Sequence, residues 1–514
     1  MALDLSTIHI DQLRGLAQSA IGQSDFEGAE RVLKEILRRG PRDLEALLSL
    51  ARVQQSRGLR REALTTARRA AGMAPKDWRA QASLAAALSS SGQIDPAIRA
   101  YRAAIAIRPD DPGLMVALAG LLERSRKADE ARLWSTRALE IDAACGPALN
   151  LLGLLETSAG NLDEAERWLL RAVADSKEHE SRCSAWHQLG ALRERQKRWD
   201  DAFQCHDRAN RAILNTPAAR HVLGTRPYDF LEHQFLDGCE PVLARWASRE
   251  FKAIRPDPVF LVGFPRSGTT MTENVLGALP GSITTDEEPV LAGALQMAID
   301  MCGDPPQSDL PAALDTLTHA QIEALRAEYW RSVAQLISPE ALTAPLVVDK
   351  SPFRFVQSLL LNLMFPRARM IFIVRDPRDC CLSCFFQNFN ISPTFAGFLA
   401  LESTGDTYAQ VMTFWLRART RLTMPWMEVR YEDMVADFES HARRLVEFIG
   451  RDWSDDVLRF HEKTGGRLIR TPSYQAVTER VNTRAVGKWS KYEKHIGPLL
   501  ERVRPFLEPL GYAE

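Results

Sequence analysis

A period of 34 residues runs through the first two hundred positions and limits this chain more than any other feature. Pro41, Pro75 and Pro109 keep it, as do Ala29, Ala63, Ala97, Ala131 and Ala165. After a three-residue insertion near residues 175–182, Ala202 continues the alanine series. A second series follows seven residues on: Ala70, Ala104, Ala138, Ala172 and, past the insertion, Ala209. Gly58, Gly92 and Gly160 fall where a unit turns between two amphipathic helical runs. Such self-similarity marks a solenoid, because one helix pair cannot bury its apolar face alone. Small residues at fixed positions let two antiparallel helices approach closely. Proline closes a helix because it lacks an N–H and clashes with the preceding turn. About six units fit residues 10–214. An alanine-rich bundle without repeats would not hold prolines and alanines in one register.

These features resemble the tetratricopeptide repeat. Units five and six are most similar, with Leu152-Gly153 and Trp186…Leu189-Gly190. The first four carry Ala17, Ala51, Ala85 and Ala119 where the family often has glycine. The resemblance implies an all-α solenoid over residues 1–214 with a long concave groove. Such a groove binds peptides or protein segments, joins two copies into a homodimer, or only stabilises its neighbour. The sequence leaves these uses open. Asn150 and Asn161 are candidates to hydrogen-bond a peptide backbone, although asparagines in helical repeats are more often solvated or in turns.

Charge excludes one class of partner. Residues 1–214 carry 32 basic and 29 acidic side chains, and the remainder 33 and 37. A nucleic-acid polymer calls for a clear basic excess, which neither part has. The eight cysteines are too sparse for a disulfide scaffold and read as buried or half-buried free thiols. Cys380-Cys381-x-x-Cys384 lacks a second ligand pair at zinc spacing, so no metal site is expected. The start, MALDLSTIHIDQL, has no basic region followed by an apolar one, and no apolar run approaches the ~20 residues of a membrane span. The expected location is a reducing cytoplasm.

The pattern changes after residue 214. NTPAARHVLGTRPYD reads as a linker, and FLEHQFLDGCEPVLARWASREF as an amphipathic helical segment that caps the solenoid or joins the parts. Residues 215–255 are therefore assigned to linker and capping helix, and 256–514 to an α/β domain. Short apolar β-prone runs alternate there with helical stretches: 259–262, 346–348, 370–374 and, more weakly, 426–429. This alternation predicts a parallel sheet with helices on both faces. Ligands bind such sheets outside the carboxyl ends of the strands. Each run is followed by charged or phosphate-friendly residues: 265–270, 349–351, 375–379 and 430–433.

FLVGFPRSGTTMTENVLGAL reads as strand, loop and helix. A helix N-terminus presents unpaired N–H groups and a positive dipole end, so it attracts phosphate. Gly268 lets the backbone wrap closely, Ser267, Thr269 and Thr270 add hydroxyls, and Arg266 adds a cation next to Pro265. The loop departs from G-x-x-x-x-G-K-[ST], because threonine follows Gly268 where lysine is needed. That disfavours a nucleoside triphosphate kinase.

The loop resembles the 5′-phosphosulfate loop of sulfotransferases that use 3′-phosphoadenosine 5′-phosphosulfate (PAPS). The form P-R-S-G-T-T is most similar to the tyrosylprotein sulfotransferases and their bacterial relatives. RMIFIVRDPRDCCLSCFF resembles the family's 3′-phosphate segment, which implies that Arg375 and Ser383 bind that group. Asp376 and Asp379 are expected to cap the following helix or pair with Arg378. VVDKSPF places Lys350 near the leaving group, and VRYEDMV places Tyr431 near the nucleotide. TPSYQAVTERVNTRAVGKW places Ser473 by the phosphosulfate and Lys488 by the nucleotide. The resemblance covers about residues 256–511 and implies a P-loop-like α/β sulfotransferase domain that needs no metal.

Sulfuryl transfer needs positioned partners, cations at the leaving phosphate and a base for the acceptor proton. The family's base is a glutamate about 21 residues after the loop arginine, which implies Glu287. Flanking Asp286 and Glu288 read as acidic residues at the start of a helix near Pro289. The expected catalytic set is Arg266, Glu287, Lys350 and Ser473. His461 and His495 read as surface or loop residues. The implied reaction moves a sulfuryl group from PAPS to an acceptor hydroxyl, with a protein or peptide tyrosine favoured and small-molecule, glycan or lipid hydroxyls open. A P-loop kinase and a non-catalytic scaffold are weaker alternatives. Residues 295–345 read as a helical insertion. Residues 386–406 read as a mobile loop whose Phe386, Phe389 and Phe395 either line an acceptor pocket or pack the core.

Overall fold

The computed structural model describes residues 5–23, 25–216, 219, 222, 227–235, 239–251, 255–303, 310–463 and 481–513. They form two compact units, Met1–Leu192 and Arg193–Glu514.

The first unit is a run of paired helices. The pairs are α1–α2 (Ile10–Gly22, Phe26–Arg39), α3–α4 (Leu44–Ser56, Arg60–Met73), α5–α6 (Trp78–Ser90, Ile94–Ile107), α7–α8 (Pro112–Arg124, Ala128–Ile141) and α9–α10 (Gly146–Ala159, Leu162–Asp175). Helix α11 (His179–Arg195) follows and runs into the second unit. Ala29, Ala63, Ala97, Ala131 and Ala165 are fully buried, and so are Ala70, Ala104, Ala138 and Ala172. The period therefore records where helices touch. Gly153 shows how tightly: a Cβ there would lie 2.5 Å from Leu169 Cδ2. Aspartates add a further 34-residue series. Asp43, Asp77 and Asp111 cap α3, α5 and α7 by accepting from Ala46, Arg79 and Leu114 N–H. Each such cap contributes about 1 kcal/mol. Gly58, Gly92 and Gly160 take left-handed φ at the turns. Arg126 and Lys197 hold the equivalent places, also left-handed (both φ 59°). The turn is thus set by the repeat even where glycine, the residue that adopts it freely, is absent.

The second unit begins with the end of α11 and with α12 (Trp199–Leu214). Helix α12 carries the last alanines of both series and packs into the α/β core. Ala202 joins the main apolar cluster, and Asn210 Nδ2 donates to Phe385 O at 2.8 Å. The expected capping segment contains a 3₁₀ turn, Asp229–His233, and a helix, Glu240–Ala247, whose Leu243 and Trp246 are buried.

Five parallel strands follow: β1 (Val259–Gly263), β2 (Ser282–Thr284), β3 (Leu346–Lys350), β4 (Arg369–Val374) and β5 (Trp426–Arg430). Their order is β2-β3-β1-β4-β5. Every residue of β1 and β3 is buried, as expected of strands covered on both faces. Short edge strand β2, three residues with a polar residue at each end, carries no apolar run, so sequence reading passes over it. The chain leaves β1 toward β3 on one side, while β4 lies on the other. That reversal opens a crevice at the carboxyl end of the sheet between β1 and β4. Among the described residues, no helix is long and apolar enough to cross a membrane.

Candidate active site

A cleft of about 580 Å³ lies at this crevice. Arg266, Thr269, Thr270, Glu287, Arg375, Ser383, Tyr431 and Lys488 line it, together with Pro265 and Gly268. These expected residues come together although they are scattered along the chain, whereas Ser267 and Lys350 are buried and do not line the cleft. Ser473 lies outside the described residues.

The loop after β1 leads into helix α13 (Thr269–Gly277). Gly268 precedes it at φ 112°, and no side chain caps the helix, so its first N–H groups face the loop. A Cβ on Gly268 would come within 2.6 Å of Tyr431 Cδ2, so only glycine fits beneath that ring. Arg266 adopts φ 67°, a left-handed backbone that costs a non-glycine residue about 1–3 kcal/mol. Arg375 holds it there: its Nη1 donates to Arg266 O at 2.8 Å, and its Nη2 to Ala485 O at 2.5 Å. Arg266 Nε donates to Ser383 Oγ at 3.2 Å. Burial pulls the Arg266 guanidinium below the usual arginine range.

Two buried polar atoms here have no partner among the described residues, Ser267 Oγ and Arg375 Nε. Ser267 is 1% exposed and Arg375 8%. Unmet donors around a helix N-terminus fit a bound phosphate group. The Arg375 guanidinium lies over the Tyr431 ring, 4.9 Å from its centroid. Lys488 Nζ reaches Glu194, 2.7 Å from Oε1.

The sheet places the base candidate. Past β2 the chain stays beside β3: Thr285 N–H donates to Val348 O and Glu287 N–H to Lys350 O, both at 3.0 Å. Asp286 and Glu287 take left-handed φ of 48° and 65°, which turns Glu287 into the cleft. Lys350 Nζ donates to Glu287 Oε1 at 2.6 Å and lies 3.1 Å from Glu273 Oε2 on α13. Lys350 is fully buried, whereas the Glu287 side chain is 38% exposed. Burial opposes the Lys350 ammonium, but Glu273 and Glu287 outweigh it and raise its pKa. Burial raises the Glu273 carboxyl, and Lys350 partly offsets the rise. Glu273 is the residue that sequence reading missed.

Several expectations are corrected. Asp376 caps helix α14 (Pro377–Phe385) and pairs with Arg378, as anticipated. Asp379 does neither: it accepts from Gly487 and Trp489 N–H at 2.8 Å and so ties the C-terminal segment to the cleft. Asp286 and Glu288 do not cap a helix at Pro289, because that helix spans Ala292–Cys302 with Leu291 as its N-cap. Residues 386–406 are not one loop. They include a short helix, Pro393–Ala396, a 3₁₀ turn, Gly397–Leu399, and the start of α15 (Leu401–Ala418). Phe389 and Phe395 stack at 4.6 Å and, with Phe353 and Phe386, line the apolar side of the cleft. His495 bonds Asp200 and stacks on Phe203. Cys380, Cys381 and Cys384 are buried free thiols, and burial pushes their pKa values up.

Residues 258–455 match the model of the sulfotransferase family. Residues 20–88 and 79–111 match models of the tetratricopeptide repeat. The chain is 28% identical over 346 residues to an uncharacterised protein of Aquifex aeolicus (strain VF5), covering 65% of this chain and 42% of that protein. It is 26% identical over 280 residues to protein-tyrosine sulfotransferase 2 of Gallus gallus, covering 49% of this chain and 71% of the relative. With protein-tyrosine sulfotransferase 1 of Homo sapiens it shares 27% over 271 residues, covering 49% and 69%. The chain thus spans less than half the length of the Aquifex protein. A solved thermophilic tetratricopeptide-repeat protein of Thermus thermophilus is 20% identical, with 35% of this chain and 99% of that one covered at a TM-score of 0.32.

Proposed function

From a chain in which tetratricopeptide repeats precede a sulfotransferase-family domain, we propose a PAPS-dependent sulfotransferase that acts on an acceptor hydroxyl, a protein or peptide tyrosine. One observation carries the reading. Ser267 Oγ and Arg375 Nε, buried and without a partner among the described residues, lie around a helix N-terminus, and Glu287, held by the buried Lys350, lines the same cleft.

PAPS, when bound, supplies the sulfuryl group and a phosphate leaving group. The loop amides and Arg266 hold the 5′-phosphate, and Arg375 and Ser383 hold the 3′-phosphate. A guanidinium grips phosphate oxygens with two parallel donors, which lysine cannot do. Tyr431 and Lys488 flank the nucleotide, and Ser473 joins Lys350 at the leaving oxygen. Glu287 takes the acceptor proton. The repeats recruit or orient a protein acceptor, and the enzyme works in the cytoplasm.

Glu287→Ala should abolish turnover and leave 3′,5′-ADP binding nearly intact. Unchanged turnover would remove Glu287 as the base. The aromatic wall of Phe353, Phe389 and Phe395 supports a second reading, a small aromatic hydroxyl as acceptor. A kcat/KM far higher for acidic tyrosine peptides than for small phenols supports the first reading, and the reverse supports the second.

A further inference from the structure

We propose that Glu273 is a positioning residue that keeps Lys350 charged and in register while Glu287 takes up the acceptor's proton. The inference rests on the sulfuryl-transfer reading of the cleft.

Lys350 Nζ sits between two carboxylates of unlike setting. Glu287 faces the cleft and is partly exposed, whereas Glu273 is 4% exposed and out of reach of an acceptor. Glu273 uses both oxygens. Oε2 lies 3.1 Å from Lys350 Nζ, and Oε1 accepts from the Asp286 N–H at 3.1 Å. One carboxylate on α13 thereby ties the end of β3 to the left-handed turn that presents Glu287. Base and cation are held by one clamp.

The electrostatics give the clamp a task. A fully buried ammonium needs a counter-ion to stay protonated. The acceptor oxygen forms its bond to sulfur as the bond from sulfur to the bridging oxygen breaks. The acceptor's proton passes to Glu287, and the sulfuryl-transfer reading assigns the charge left on the bridging oxygen to Lys350, which is buried beside Glu287. At that moment Glu287 becomes neutral and stops compensating Lys350, while Glu273 remains as counter-ion. Asp286 also acts on Lys350, and Arg266 is coupled to Glu287. Asp349, next in the strand, points to the other face, where Thr285, Arg354 and Tyr329 bond it. Lys350 therefore depends on the carboxylates of α13 and of the 286–287 turn.

Glu273→Gln tests this, because it keeps the shape and the acceptor for Asp286 but removes the charge. The Lys350 ammonium, followed by ¹⁵N resonance, should titrate about one pH unit or more lower than in the unaltered protein. The kcat should fall about a hundredfold, and its alkaline limb should move to lower pH. KM for PAPS and Kd for 3′,5′-ADP should stay within about threefold, which also reports an intact fold. Glu273→Asp, which keeps the charge on a shorter arm, should restore the alkaline limb and part of kcat. An unmoved alkaline limb and an unmoved Lys350 titration in Glu273→Gln would overturn the inference. Absence of sulfuryl transfer by the unaltered protein would overturn the transfer reading instead, and the Lys350 titration would still decide whether Glu273 holds the lysine's charge.

Discussion

The two units bury different things. Between Leu13 and Leu192 the interior is mostly alanine and leucine, and its buried carboxylates, Glu30 and Glu156, are met by Arg57 and Arg132. The α/β unit buries Glu273, Asp349, Lys350, Arg354, Arg375, Asp376, Arg378 and Asp379 around the carboxyl ends of neighbouring strands. Taking charges out of water is costly, and stacking helix pairs does not require it. A dense group of buried charges at one sheet edge is therefore a sign of chemistry, whereas a periodic alanine lattice is a sign of assembly.

The largest test of this contrast is Lys350→Met. It leaves Glu273 buried without its cation and should destabilise the chain by about 3–5 kcal/mol near pH 8 in urea unfolding. Burial already raises the Glu273 carboxyl, so its protonation in acid removes the unpaired charge. The loss should therefore shrink as pH falls toward 5. In the unaltered protein the Lys350 pKa is raised above its unfolded value of about 10.4, so its contribution is complete below that pH and is lost as pH rises through the folded value.

Ala131→Leu probes the other interior. Overpacking a fully buried position should cost about 1–3 kcal/mol, equally at pH 5 and pH 8. A pH-dependent loss there would break the comparison. Asp77→Ala is the smallest test, at about 1 kcal/mol for a lost helix cap. Arg79, which hydrogen-bonds Asp77, holds its carboxyl below the usual range. The contribution is present above the unfolded value of about 3.9 and is lost as pH falls through the lower folded value, the opposite sense to Lys350.

The repeats were legible because the same contact recurs. Ala63 and Ala97 hold the same place in their units and are both fully buried, so register alone identifies them. Arg126 and Lys197 escaped notice because only glycine advertises a left-handed turn, though the repeat imposes it on other residues. In the α/β unit the loop 265–270 was legible as a local motif. Strand β2 was not, because three residues with a polar residue at each end give no β signal until β3 pairs with them. Glu273 was not legible because a single glutamate in a nine-residue helix looks solvated. Its burial depends on a lysine from a distant strand.

The sequence by itself determined the helix-pair period, the run of buried strands and the loop at 265–270 between strand and helix, because each is a local pattern. Which carboxylate of 286–288 meets Lys350, and that Glu273 meets it too, was decided only by the tertiary structure. Strand order sets β1 between β3 and β4, and the left-handed turn at Asp286 and Glu287 aims one side chain. Contacts of that kind join segments far apart in the chain, where no local spacing records them.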